Sequence, residues 1–272
     1  VCDFLVESGF KATRYHAGLG AGERKANQDA FVFDTADIIV ATNAFGMGID
    51  KSNVGFVVHY NMPLDVESYY QEAGRAGRDG EPADCILLYA KRDVQTCRFL
   101  IERSNEEAED VDFQTRRALL ERAQERLKLM TFYATTNDCL RGYILKYFGE
   151  RPGAYCGSCS NCETKFEEVD ATREAQVLIS CVYRLRERHR TLGRTAIVDI
   201  VRGAKNARTL ESGFDTLSTY GIMKDTPSSQ ICLMIEGLEH TGYLRTSGEY
   251  QVLVLTADAR RVLTGGEKVM MK

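Results

Sequence analysis

Val1, Phe4 and Leu5 open the chain at helical spacing, and Ser8-Gly9 closes that helix with a residue free to turn left-handed. Lys11–His16 then reads as a strand, Glu23–Phe31 as a helix, and Asp37–Thr42 as a buried strand with no polar alternation. Val54–Tyr60 repeats that apolar pattern, Ser68–Gly74 has the helical period, and Ala83–Tyr89 is one more continuous apolar run. Unbroken apolar strands alternating with helices predict an α/β body: a parallel sheet with helices on both faces.

Past Arg92 the pattern changes to long helices. Val111–Ala134 keeps an apolar repeat through Leu119, Leu120, Leu127 and Met130. Thr135–Asp138 supplies N-cap candidates for a short helix ending near Gly149, followed by a Gly/Pro/Cys-rich loop over Arg151–Cys162. From Thr172 the chain reads as helices over 172–189, Thr195–Arg202, Leu210–Tyr220 and Ser228–His240, then two strands around Thr246-Ser247-Gly248-Glu249. Helices closed by a terminal hairpin predict a winged helix. The expected divisions are an α/β body over 1–92, a helical connector and cysteine module over 93–168, and a winged helix over 169–272.

Composition adds exclusions. With 272 residues, 44% hydrophobic and 27% charged, the chain has the make-up of a globular protein of two or three domains. No run of eighteen uncharged apolar positions suggests a membrane span, and no basic segment followed by an apolar stretch reads as a signal peptide. Nine cysteines, an odd count, fit a reducing cytoplasm better than a disulfide scaffold. The net charge of −4 hides an asymmetry: residues 1–168 hold 20 Lys and Arg against 27 Asp and Glu, residues 169–272 hold 15 against 12. The last third therefore suits a polyanion better than the average does.

Cys139, Cys156, Cys159 and Cys162 are separated by sixteen, two and two residues. Cys-x-x-Cys lets two thiolates of one tight turn reach the same ion, and four such ligands make a closed tetrahedral zinc site, structural rather than catalytic. The alternative is one disulfide and two free thiols. Cys2, Cys85, Cys97, Cys181 and Cys232 lie mostly in apolar runs and are expected in the core.

Two loops carry candidate phosphate chemistry. Gln71-Glu-Ala-Gly-Arg75-Ala-Gly-Arg78-Asp-Gly sets two guanidiniums three residues apart among glycines. Guanidinium matches phosphate oxygens bidentately and holds its charge at every relevant pH, as an arginine finger requires; a merely solvated turn is the alternative. Ala41-Thr42-Asn43-Ala44-Phe45-Gly46-Met47-Gly48-Ile49-Asp50 follows a strand, so it lies at the carboxyl edge of the sheet, where open α/β folds bind ligands. Its glycines expose backbone N–H groups and Thr42 a hydroxyl, whereas Met47 reads as core. His16 also ends a strand, where a satisfied structural histidine is the plainer alternative.

In this order the segments resemble the RecQ family of DNA helicases over nearly the whole chain. Tyr15-His-Ala-Gly-Leu19, Val40–Asp50 and Tyr69–Gly80 are similar to stretches of the family's second RecA-like domain, the last two to its motifs V and VI. The cysteines after Tyr147-Phe-Gly-Glu150 are similar to its zinc module. Val198–Asn206 and Tyr220-Gly221 are similar to its winged helix. The resemblance implies that Gln71, Arg75 and Arg78 face ATP, with Arg78 the arginine finger, and that Gly48 and Asp50 lie near the nucleotide with its Mg2+. It implies that His16 and Thr42 touch single-stranded DNA. Arg202, Lys205, Arg208 and Ser229, with Ser228 and Gln230, would hold duplex DNA by its backbone; Arg245 and Tyr250 of the hairpin would either wedge the duplex or, the plainer alternative, cap their own domain. Unwinding would run 3′ to 5′, in recombination, repair and replication.

Departures from the family pattern are equally informative. No Gly-x-x-x-x-Gly-Lys-[Ser/Thr] phosphate loop and no Asp-Glu-x-His box occurs in the chain. A first RecA-like domain, the opening strand of the second and a helicase-and-RNase-D C-terminal domain are therefore expected to be missing. The chain alone should not hydrolyse ATP. The rival reading is a zinc-containing winged-helix regulator without nucleotide chemistry.

Overall fold

A computed structural model describes residues 1–42, 51–107, 111–248 and 251–271. The chain divides into two compact units, residues 1–135 and 136–272. Gly48 and Asp50 of the expected nucleotide loop, with Phe45 and Met47, lie outside the described residues, as do Glu249 and Tyr250 of the hairpin.

The first unit opens with helix α1 (Cys2–Glu7), strand β1 (Ala12–Tyr15), helix α2 (Ala21–Val32) and strand β2 (Ile38–Ala41). β1 and β2 pair in parallel, with Ala12 opposite Ile38 and Tyr15 opposite Ala41. Strand β3 (Phe56–His59), helix α3 (Val66–Ala73) and strand β4 (Asp84–Leu87) repeat the arrangement, and β3 pairs with β4 in parallel. α3 starts where Asp65 accepts a hydrogen bond from the Ser68 N–H at 2.7 Å, an N-cap that spares a helix-end donor. Helices α4 (Lys91–Glu106) and α5 (Phe113–Thr135) pack together, and α5 also packs on α3.

The parallel direction agrees with the apolar pattern, but the expected burial does not. Among the described residues the strands form two separate pairs, and most of their residues are half-buried or exposed. Phe56, Val58 and Ile86 are each close to half exposed. Cys85 on β4 is exposed too, against expectation, whereas Cys97 and Cys181 are buried. An apolar run specifies what a strand prefers, not that a layer covers it. Likewise the α5 repeat divides: Leu127 and Met130, joined by Tyr133, are buried, and Leu119 faces solvent.

The second unit begins with helix α6 (Leu140–Tyr147) and the one-turn helix α7 (Ser160–Glu163). Helices α8 (Thr172–Glu187), α9 (Arg194–Arg202), α10 (Ala207–Glu211) and α11 (Ser228–His240) follow, then the hairpin β6 (Leu244–Ser247) and β7 (Val252–Leu255). Besides α7, which lies in the expected loop, three elements were not foreseen. Helix α12 (Ala259–Thr264) packs on α8, and short strands β5 (Val169–Asp170) and β8 (Met270–Met271) pair antiparallel. A single continuous core runs through α8, α9, α11 and the hairpin, with Leu178, Ile197, Ile231, Ile235, Leu244 and Leu253 at its centre. The helix expected over Leu210–Tyr220 is broken: after α10 the chain turns left-handed at Gly213 and continues as a 3-10 turn over Phe214–Thr216.

Where α9 ends, glycine is obligatory. Gly203 takes the left-handed conformation, and a Cβ there would stand 3.0 Å from the Gly221 Cα. This backbone-on-backbone contact, with Gly221 and Met223 N–H groups donating to the Ile200 and Val201 carbonyls, explains the Gly203 and Tyr220-Gly221 signals in the sequence. No described helix is long and apolar enough to cross a membrane.

Candidate functional site

The cysteine centre is assembled from two helix starts. Cys139 is the N-cap of α6, in place of the Thr135–Asp138 candidates, and its sulfur accepts a hydrogen bond from the Gly142 N–H at 3.3 Å. Cys159 is the N-cap of α7, whose single turn carries Cys162. The ligand atoms of Cys139, Cys156, Cys159 and Cys162 all lie within 4.8 Å of one another. Zn–S bonds of about 2.3 Å at tetrahedral angles would set sulfurs about 3.8 Å apart, and the Cys156 and Cys162 sulfurs stand 3.9 Å apart. The residues fit the ion. Held there, it would fasten the loop to α6 and leave no open position for chemistry.

Electrostatics at the four sulfurs is uneven. The backbone N–H of Ser158 draws the Cys156 thiol down to about 6. Burial pushes Cys139 up to about 11. At Cys159 burial opposes ionisation, but N–H donors from Cys162 and Leu140 outweigh it and lower the pKa. Helix-start donors thus favour the thiolate form at Cys159, and the loop N–H of Ser158 does so at Cys156.

One contributor escaped the sequence reading. The Asn161 side-chain amide donates to the carbonyls of Thr136 and Asp138 at 2.7 and 2.8 Å. It ties the Cys159–Cys162 turn to the segment that enters α6, holding ligands from both halves in place. An amide inside a Cys-x-x-Cys turn was the only signal available.

In the first unit the turns after α3 carry the arginines. Gln71 is exposed on the last turn of α3, Arg75 is half-buried beyond the Gly74 C-cap, and Arg78 is exposed, its Nε donating to the Gly74 carbonyl at 3.3 Å. Gly77 between them is left-handed, and a Cβ there would crowd the Glu81 carbonyl at 3.1 Å. The two guanidiniums therefore lie on a tight turn, not on the helix. His16 and Thr42 are brought together: each follows the last residue of a paired strand, and the Thr42 N–H donates to the Tyr15 carbonyl. Both stand at the carboxyl edge of β1–β2.

Lys51 is buried. Its ammonium pairs with Asp34 at 2.6 Å and lies 5.2 Å from the Phe31 ring centroid. It anchors the chain to the end of α2.

In the second unit, Arg202, Lys205 and Arg208 are exposed around the Gly203 turn, and Ser229 is exposed at the start of α11. Arg245 is exposed on β6 and lines a cavity of about 390 Å³ with Arg186 and Arg190 over an apolar floor. Arg194 is committed elsewhere: it bonds Glu236 and the buried Glu239, and Glu239 also accepts from Thr246. This network ties α9 to α11 and the hairpin.

The order of parts is as informative as any one of them. An α/β body is followed by a four-thiolate module and then by a winged helix. Three family models match this succession end to end: helicase conserved C-terminal domain over 1–80, RecQ zinc-binding over 91–163 and RQC domain over 165–272. The chain is 43% identical over 270 residues to ATP-dependent DNA helicase RecQ of Bacillus subtilis, which covers 98% of this chain and 43% of that protein. It is 34% identical over 276 residues to ATP-dependent DNA helicase RecQ of Pasteurella multocida, covering 100% and 41%. To ATP-dependent helicase SGS1 of Saccharomyces cerevisiae it is 31% identical over 281 residues, covering 98% and 19%.

The chain belongs to the RecQ family. It spans about two fifths of the length of the bacterial relatives it matches. The cysteine geometry and the zinc-binding match together support a structural zinc.

Proposed function

We propose that this chain is the second RecA-like domain, zinc module and winged helix of an ATP-dependent 3′–5′ DNA helicase. The observation that carries the reading is the Arg75–Arg78 turn placed directly after α3 in a RecA-like body of a RecQ-family chain. Gln71, Arg75 and Arg78 face the phosphates of ATP, and Arg78 stabilises the charge that develops in phosphoryl transfer. The same reading assigns Gly48 and Asp50 to nucleotide binding. The phosphate-loop lysine and the Mg2+ ligands come from the first RecA-like domain, because the sequence of this chain contains neither motif.

His16 and Thr42, side by side at one sheet edge, contact the phosphates of single-stranded DNA without reading bases. Arg202, Lys205, Arg208 and Ser229 hold the duplex backbone, helped by the positive balance of residues 169–272. The intact enzyme works in the cytoplasm on recombination, repair and replication intermediates.

The test is hydrolysis in the intact enzyme. Arg78→Ala should lower DNA-stimulated turnover by about a thousandfold or more, while the 1–272 chain alone stays at background. Turnover by the isolated chain, or wild-type turnover by Arg78→Ala, overturns the reading and leaves a DNA-binding regulator in its place.

A further inference from the structure

His59 is the last residue of β3 and is only 7% exposed. Its Nε2 lies 2.9 Å from Glu72 Oε2 on α3, whereas Nδ1 is buried without a hydrogen-bond partner. A bare ring nitrogen is cheaper to bury than an orphaned N–H. That favours the tautomer with its proton on Nε2, donated to Glu72. The imidazole also packs on Tyr69, centroids 4.9 Å apart, and Tyr69 packs on Tyr133 of α5 at 4.8 Å.

What the pair controls follows from helix geometry. Glu72 is the immediate neighbour of Gln71, about 100° round the helix, so drawing Glu72 in toward β3 turns Gln71 out to solvent, where it is found. The Glu72 carbonyl in turn accepts from the Arg75 N–H at 3.3 Å, so the first arginine of the turn hangs from the same residue. Buried Val66, Tyr69 and Ala73 set the coarse rotation of α3 through its apolar stripe. A directional hydrogen bond at the border of the core then fixes the last turn.

We propose that His59 and Glu72 are a positioning pair: they set the last turn of α3 so that Gln71 and Arg75 meet the nucleotide in register. The proposal rests on the reading that these residues face ATP. Neither member of the pair touches the nucleotide.

The experiment compares His59→Ala, Glu72→Ala, the double variant and Glu72→Gln in the intact helicase, with Arg78→Ala as reference. The readouts are kcat and KM for ATP, affinity for single-stranded DNA without nucleotide, and zinc content. Each alanine variant should lose at least tenfold in kcat/KM with DNA affinity and zinc unchanged. The double variant should lose no more than either single one, because the two act as one unit. Glu72→Gln keeps an acceptor for the imidazole and should stay within about threefold of wild type. Where His59→Ala fails to fold, Glu72→Ala and Glu72→Gln carry the same comparison at a partly exposed site. Wild-type kcat/KM in Glu72→Ala, additive losses in the double variant, or no rescue by Glu72→Gln overturns the pair. If Arg78→Ala is also fully active, the nucleotide reading itself has failed.

Discussion

Val58 and Leu253 are both strand residues with apolar neighbours in sequence, yet Val58 is 45% exposed and Leu253 is 2% exposed. The difference belongs to their units. Of the twelve largest fully buried side chains among the described residues, only Val66 and Met130 lie in residues 1–135, and the other ten lie between Leu178 and Leu253. In the second unit α8, α9 and α11 close on the hairpin around one continuous core, with Leu233 of α11 left 62% exposed on the outside. In the first, α3 and α5 cover one another well, but the strand face with Phe56, Val58 and Ile86 stays open. Full burial of such side chains is worth about 1.5 to 3 kcal/mol each. The winged-helix region thus has a self-sufficient core, and the α/β body holds apolar surface in reserve.

The largest effect that would break this contrast is a truncation in each unit. Ile235→Ala empties space at the centre of the winged-helix core and should cost about 2 to 5 kcal/mol. Val58→Ala, on the open strand face, should cost no more than about 1 kcal/mol. Guanidinium unfolding of the two variants measures both, and equal losses would mean that the two cores are alike.

The zinc module should respond next. Cys159→Ser should lower bound zinc from about one equivalent toward none and leave the protein insoluble or protease-sensitive, since metal binding there contributes to folding. Asn161→Ala should keep the stoichiometry but weaken zinc by about 10- to 100-fold, the usual cost of losing a partner that orients the ligands. Metal analysis and chelator competition separate the two. Full zinc in Cys159→Ser would remove the four-thiolate assignment.

The smallest effect sharpens the picture of the first unit. The Lys51 hydrogen bond holds the Asp34 carboxyl below its ordinary value of 3.8. Stability from that pair is fully present above the ordinary value and is lost as pH falls through the folded one. The gap between wild type and Lys51→Met in thermal melts should therefore shrink in acid. A gap unchanged down to about pH 2 would show that Lys51 acts by packing on Phe31 rather than by charge.

Much of this molecule was legible locally. α11 spans Ser228–His240 as its apolar spacing predicted, the strand and helix order of the first unit follows the pattern, and the cysteine spacing announced a four-ligand centre that the structure brings together. Each of these is a property of neighbours in sequence: a period, a cap, a Cys-x-x-Cys turn. The break at Gly213 was legible in principle, since glycine there admits the left-handed turn, but the apolar positions on either side concealed it.

What remained hidden depends on residues distant in the chain. His59 meets Glu72 across 13 positions, Lys51 meets Asp34 across 17, Asn161 reaches Thr136 across 25, and Arg194 reaches Glu239 across 45. No spacing rule links such pairs, because the chain between them sets their approach. Strand cover is undetermined for the same reason. The sequence by itself determined most of the elements, their order and the four-cysteine centre. Tertiary structure alone decided which strands are buried and which polar side chains bond, because both depend on what distant segments place alongside.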